Sequence, residues 1–211
     1  MIFPSIKNYI EEAVKAFDQI PAPRKSVLEQ ASAFIAEKVK FDAPVALIYI
    51  CTHNSRRSHF GQIWGKVAAH YYGYKKVQTF SGGTEATAFN ANAIKAVKSV
   101  GFEVKETGLA VNPHYKVYYN DEHAEIECFS KKYDDLANPQ EGFIAVMTCT
   151  SADEGCPVVR GAALRVSTPY EDPKKFDGTA FQDAKYSERC LQIATETLYL
   201  FSQVKSFLHK S

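Results

Sequence analysis

Cys51 ends an apolar run, 46–50, and after five intervening residues come Arg57, Ser58 and a helical pattern. Strand, Cys-x5-Arg-Ser loop and helix together suit an oxyanion pocket that holds a thiolate. Loop N–H groups can converge on an anion, and the positive end of the following helix points at the same place. That field favours the thiolate form of Cys51. Arg57 offers a planar two-pronged donor for a tetrahedral oxyanion. Ser58 can donate a hydrogen bond to the sulfur, and Asn54 can hold the loop through side-chain to backbone bonds. The candidate substrate-binding residues are therefore Thr52, His53, Asn54, Ser55, Arg56 and Arg57. Cys-x5-Arg by itself fits a strand-end cysteine beside a surface loop equally well. The flanking strand and helix favour the anion site.

Two further cysteines, Cys149 and Cys156, lie in the string CTSADEGCP. A helix over 151–156 would place them about 10 Å apart along its axis. A disulfide needs Cα atoms within roughly 7 Å, so pairing requires that segment to unwind. It is short and polar and contains Gly155. Free cysteines are more often small buried hydrophobes than redox partners. Beside a reactive Cys51 at the same sheet end, the redox reading gains. Asp172 precedes Pro173, which disfavours helix at the aspartate and stiffens the loop. A carboxylic acid there can protonate a leaving oxygen, with Glu171 as its rival.

The elements that must position these groups follow from hydrophobic periodicity. Helices are expected over 5–19 and 25–40, separated by Pro21 and Pro23. Strand 45–50 leads to helix 58–72, then to strand 74–80 and helix 90–100. Residues 115–130 alternate about a polar centre, as an antiparallel hairpin does. Strands 143–149 and 163–169 are continuous apolar runs, and a long helix spans 181–208 with Leu191, Ala194, Leu198, Phe201 and Leu208 on one stripe. Such alternation means an α/β fold with a parallel sheet covered on both faces. Ligands then bind beyond the carboxyl ends of the strands, where Cys51, Cys149 and Asp172 all fall. Residues 1–42 read as a helical N-terminal extension, and 43–211 as a catalytic domain into which the hairpin is inserted.

The 211 residues carry a formal net charge of +1, which gives no electrostatic case for nucleic acid. The apolar runs have strand length, so no membrane span is expected. The start lacks the apolar core of a signal peptide. The five cysteines form no CxxC pair and no zinc-spaced cluster, so no metal site is expected. An odd count in a chain of this size points to a reducing, cytoplasmic setting.

The segments ALIYICTHNSRRS, TFSGGTEATAFNANAIKAVKSVGFEV, VMTCTSADEGCPV and TPYEDP together resemble the thioredoxin-coupled arsenate reductases. These share a fold with the low-molecular-weight protein tyrosine phosphatases. The likeness covers roughly 45–110 and 142–205. It implies a flavodoxin-like, doubly wound, four-stranded parallel sheet with helices on both faces. It also implies Cys51 as nucleophile, Arg57 as oxyanion binder, Asp172 as acid, and Cys149 and Cys156 as a redox relay. The seven-residue spacing of that pair is the mark of the reductases. His53 stands where a glycine is common, and Arg56 where many reductases have another cysteine. Gln62 and Leu109 stand where some reductases place acids around a potassium ion, so no such site is expected. Lys174 and Lys175 replace the two tyrosines that line the substrate ring in many of the phosphatases.

The resulting expectation is reduction of arsenate to arsenite, with thioredoxin as reductant and no bound organic cofactor. The alternative is a phosphomonoester hydrolase of the same fold, working through a phosphocysteine. A third class, a non-catalytic anion-binding module, is disfavoured by the intact trio Cys51, Arg57 and Asp172.

Overall fold

A computed structural model describes residues 1–108, 111–122, 125–155 and 158–208. Cys156 and Leu109, named above, lie outside the described residues.

Four strands make the central sheet: β1 (Val45–Cys51), β2 (Val77–Gly83), β6 (Phe143–Met147) and β7 (Ala162–Ser167), in the order β2-β1-β6-β7. All pairings are parallel. Seated between β2 and β6, β1 is buried on both faces, as its unbroken apolar run requires. Val45, Leu47 and Tyr49 enter the larger core with helices α3 (Arg57–Tyr71) and α6 (Gln182–Leu208). Ile48 and Ile50 face a smaller cluster with Phe143, Met147 and Ala152 of α5 (Thr150–Gly155). Helices thus cover both faces, α4 (Ala91–Val100) being part of the larger core.

α1 (Pro4–Lys15) and α2 (Ala22–Lys40) pack along α6, and α2 also reaches β7. Their apolar faces, including Ile6, Ile10, Leu28 and Ile35, belong to the same core as Phe60 and Trp64 of α3. Trp64 is fully buried, stacked 5.3 Å from Tyr9 of α1, and its Nε1 donates to Cys190 Sγ at 3.3 Å. Truncating a side chain buried this way costs about 3–5 kcal/mol.

The expected hairpin is part of a larger unit. β4 (His114–Tyr118) and β5 (Glu125–Cys128) pair antiparallel, and β3 (Glu103–Thr107) adds a third strand beside β4. The expected first helix stops at Lys15 and continues only as a 3₁₀ turn over Phe17–Gln19. The strand expected from residue 74 begins at Val77, because the Tyr74 amide turns back to Ala69 O at 2.8 Å. Leu191, expected on the inward stripe of α6, is exposed, as is Tyr71 at the end of α3. Among the described residues no helix is long and apolar enough to cross a membrane.

Glycine sets the approach of α3 to β1. A Cβ at Gly61 would lie 2.2 Å from Cδ1 of Tyr49, inside van der Waals contact. That close packing brings the start of α3 against the end of β1, where the loop must close.

Candidate active site

The loop between Cys51 and Arg57 turns its carbonyls outward. Thr84 N donates to Cys51 O at 3.2 Å and Glu85 N to Thr52 O at 2.8 Å. Thr87 Oγ1 and Ser130 Oγ donate to His53 O at 3.0 and 3.1 Å, and Asn90 N donates to Ser55 O at 2.9 Å. In a planar trans peptide the N–H points opposite to the C=O. The N–H groups of Thr52, His53, Asn54 and Arg56 therefore point to the loop's inner side. Among the described residues no side chain caps the start of α3, which leaves its first-turn amides able to face an anion.

Asn54 fixes the turn. Its φ of 44° is left-handed, a conformation asparagine tolerates better than most residues. Its Oδ1 accepts from Lys131 N at 2.8 Å and its Nδ2 donates to Ser58 Oγ at 2.8 Å. Ser58 Oγ lies 3.1 Å from Cys51 Sγ. With Asn54 donating to that oxygen, the Ser58 hydroxyl proton is the one available to the sulfur. A thiolate, which can only accept, fits this arrangement.

Arg57 and the loop after β7 form the opposite wall. Nη1 donates to Tyr170 O at 2.9 Å and Nη2 to Asp172 Oδ2 at 2.8 Å, while buried Nε has no hydrogen-bond partner among the described residues. Asp172 also caps the 3₁₀ turn Pro173–Phe176, its Oδ1 accepting from Lys174 N at 3.0 Å. Arg56 leans to the same side: its Nε donates to Tyr186 OH at 2.7 Å and lies 3.9 Å from Asp172 Oδ1. Glu171, the rival acid, instead pairs with Lys175 at 3.1 Å on the exposed side.

Cys149 stands just past β6. It is buried, its Sγ lies 3.4 Å from Thr52 Oγ1, and it accepts from Ala152 N at 3.4 Å. Cys51 and Cys149 share the smaller apolar cluster. The remaining described thiols lie elsewhere: burial pushes Cys128 up to about 12 and Cys190 up to about 11, so both stay protonated at neutral pH. Thus Cys51, Arg57, Ser58, Asp172 and Cys149 gather at the carboxyl edge of the sheet.

No family model matches the chain. Its sequence is similar to that of proteins named arsenate reductase. One, from Halalkalibacterium halodurans, is 28% identical over 133 residues, covering 63% of this chain and 77% of its own. Another, from Bacillus cereus, is 29% identical over 137 residues, covering 64% of this chain and 82% of its own. In three dimensions the chain superposes on a low-molecular-weight phosphotyrosine phosphatase from Vibrio cholerae with a TM-score of 0.51 and 13% identity, covering 76% of this chain and 97% of that one. A low-molecular-weight protein tyrosine phosphatase from T. tengcongensis gives 0.50 with 14% identity, over 75% of this chain and 99% of that one. The chain has the low-molecular-weight protein tyrosine phosphatase fold.

Within that phosphatase fold, sequence reasoning missed several residues around the site. Tyr170 contributes its carbonyl to Arg57, and Tyr186 holds Arg56 while donating to Asp177 Oδ1 at 2.8 Å. His59 is fully buried, stacked 4.1 Å from Phe89, with Nδ1 3.2 Å from Ser81 Oγ. Burial, with the Lys131 charge adding to it, holds His59 down at about 3, so it is neutral at working pH. Tyr170 had one available signal, its place in the same short loop as Asp172. Nothing local marks the others, whose partners come from distant elements.

Proposed function

We propose that the protein reduces arsenate to arsenite. The observation that carries this reading is a second thiol, Cys149, one hydroxyl away from the Cys-x5-Arg loop, with Thr52 Oγ1 3.4 Å from its Sγ. The similarity to proteins named arsenate reductase supports it. Arsenate is held by the inward amides and Arg57. The Cys51 thiolate attacks arsenic, and Asp172 protonates the oxygen that leaves as water. Cys149 then attacks the Cys51 sulfur. The sulfur–arsenic bonding pair stays on arsenic, which departs as arsenite, and a Cys51–Cys149 disulfide remains. Cys156 attacks Cys149, frees the Cys51 thiolate and leaves Cys149–Cys156 for a dithiol such as thioredoxin to reduce.

The phosphatase fold favours a second reading: phosphomonoester hydrolysis, with water attacking a phosphocysteine at Cys51. One assay separates the two. The protein is incubated with arsenate, thioredoxin, thioredoxin reductase and NADPH, beside a parallel reaction with an aryl phosphate. Arsenate-dependent NADPH oxidation that Cys149→Ser abolishes supports reduction. Aryl phosphate turnover with no arsenate-dependent oxidation would replace it with hydrolysis.

A further inference from the structure

The loop that carries Asp172 is braced from the far end of the chain. Arg24, in the first turn of α2, donates through Nη2 to Pro169 O at 2.8 Å. Its guanidinium carbon lies 5.2 Å from the centre of the Tyr170 ring. Arg24 Nη1 is 3.5 Å from Glu196 Oε2, and the same oxygen accepts from Tyr170 OH at 2.8 Å. Gln192 Nε2 donates to Glu196 Oε1 at 3.2 Å, and the Arg189 charge also favours the carboxylate. Glu196 and Tyr170 are only 4% and 7% exposed, so solvent does little to weaken this network.

One residue, Glu171, separates Tyr170 from Asp172. Tyr170 O is also the acceptor that holds Arg57 Nη1 at 2.9 Å, and Asp172 holds Nη2 of the same guanidinium at 2.8 Å. Arg57 is seated and buried in the first turn of α3, so a shift of Pro169–Tyr170 would chiefly displace the Asp172 carboxylate farther along the same loop. The backbone is tied to β6 and the residue after it through Thr168 N to Met147 O at 2.8 Å and Tyr170 N to Thr148 O at 3.1 Å, while the Tyr170 side chain is held by Glu196, Arg24 and Thr168.

We propose that Arg24 is a positioning residue for the site, and that α2 aligns the acid loop through the Arg24–Glu196–Tyr170 network. The proposal rests on the reading of Asp172 as the acid. A misaligned acid slows reactions in proportion to how much the leaving group needs a proton. Plain loss of fold would slow all substrates alike.

The test compares wild type, Arg24→Ala and Arg24→Ala/Glu196→Gln. The double variant removes the carboxylate that Arg24→Ala would leave buried without its cation. Kinetics are run on phenyl phosphate, a poor leaving group, and on 2,4-dinitrophenyl phosphate, a good one. Expected for both variants is a fall in the first-turnover rate of phenol release of about tenfold for phenyl phosphate and under about twofold for the dinitrophenyl ester, part of the 10²- to 10⁴-fold scale of a general acid; later turnovers also contain hydrolysis of the phosphocysteine, which is common to both esters. KM should stay within about twofold, and adding Asp172→Asn to Arg24→Ala should cost little more than Asp172→Asn alone, because the two act through one group. Equal losses on both esters, or no loss on either, overturn the proposal. Hydrogen exchange supplies the arm that does not depend on turnover. Amides of residues 170–176 should exchange faster in Arg24→Ala, with β1 unchanged; unaltered exchange there also overturns it. A wild type that turns over neither ester nor arsenate would refute the functional reading instead, and the exchange result would still decide on the brace.

Discussion

Asp172→Asn separates catalysis from stability. In the structure this side chain accepts from Arg57 Nη2 at 2.8 Å and from Lys174 N at 3.0 Å. Asparagine keeps the cap, since Asn and Asp are near-equal at such positions. What is lost is the charge of a carboxylate, 25% exposed, that pairs with Arg57 at 2.8 Å and with Arg56 at 3.9 Å. Pairs of that kind contribute about 0–1 kcal/mol. The unfolding midpoint should therefore move by no more than about 2–4 °C, the shift that 1 kcal/mol gives in a chain of this size.

The chemical step should respond far more. A lost general acid costs about 10²- to 10⁴-fold, or about 2.7–5.4 kcal/mol of barrier at 1.36 kcal/mol per decade. The assay is single-turnover arsenate reduction, with free thiols counted before and after, alongside thermal unfolding of the same preparations. A variant that folds normally and retains more than about a tenth of wild-type rate falls outside the general-acid scale and would refute the assignment. So would Glu171→Gln proving the damaging change, because Glu171 pairs outward with Lys175.

Arg57→Lys should weaken phosphate or arsenate protection of Cys51 against alkylation by more than about tenfold, because a point charge cannot reproduce the fork that holds Tyr170 O and Asp172. Cys149→Ser and Cys156→Ser should each stop multiple turnover of arsenate while leaving aryl phosphate hydrolysis within about twofold, since hydrolysis uses only Cys51, Arg57 and the acid; peptide mapping of Cys156→Ser should find Cys51–Cys149. His59 is neutral in the fold, held down at about 3 by burial, against about 6.5 when unfolded. Above the unfolded value it contributes no pH dependence; as pH falls below it, the unfolded chain takes up a proton that the folded one refuses, so stability drops by about 2 kcal/mol between pH 7 and 5. Urea midpoints at the two pH values should show that drop reduced in His59→Gln, and an identical drop in both proteins would contradict the burial argument.

The sheet was legible because its strands are buried on both faces. β1 and β6 read as unbroken apolar runs, and the structure places them at the sheet's centre. β3 was not legible for the opposite reason. Four of its five residues are exposed and it is held by main-chain pairing to β4, so no apolar alternation marks it. α6 misled at Leu191 because it is enclosed by α1, α2, α3 and α4. Arg189, Thr195 and Glu196 are buried there beside the apolar stripe. Burial of such groups requires partners supplied by remote chain, as Arg24 and Tyr170 do for Glu196, and spacing along one helix cannot reveal that. In the candidate site, the loop was legible because strand, loop and helix are consecutive. Tyr170 and Tyr186 join it only through the tertiary fold.

In the proposed reduction and in the rival hydrolysis, the loop, Arg57 and Asp172 would have the same part up to a covalent adduct on Cys51. What divides the two is the nucleophile that meets the adduct next. Hydrolysis needs water at the bound oxyanion, whereas reduction needs a thiol at the Cys51 sulfur itself. Cys149 lies in the apolar cluster that contains Cys51, 1% exposed, with the Thr52 hydroxyl between loop and thiol. The apolar side of this cluster disfavours water on the face of Cys51 turned towards Cys149. The following step asks more of the chain. α5 is tied to β7 by Asp153, whose carboxylate accepts from Arg165 Nη2 and Ser167 Oγ, each at 2.6 Å. On the proposed relay, passing oxidation onward from Cys149 would require this short helix to let go of that tether. On the proposed reduction, the loop and Arg57 would hold the oxyanion while α5 would have to release its bonds to β7 before a further thiol could reach Cys149.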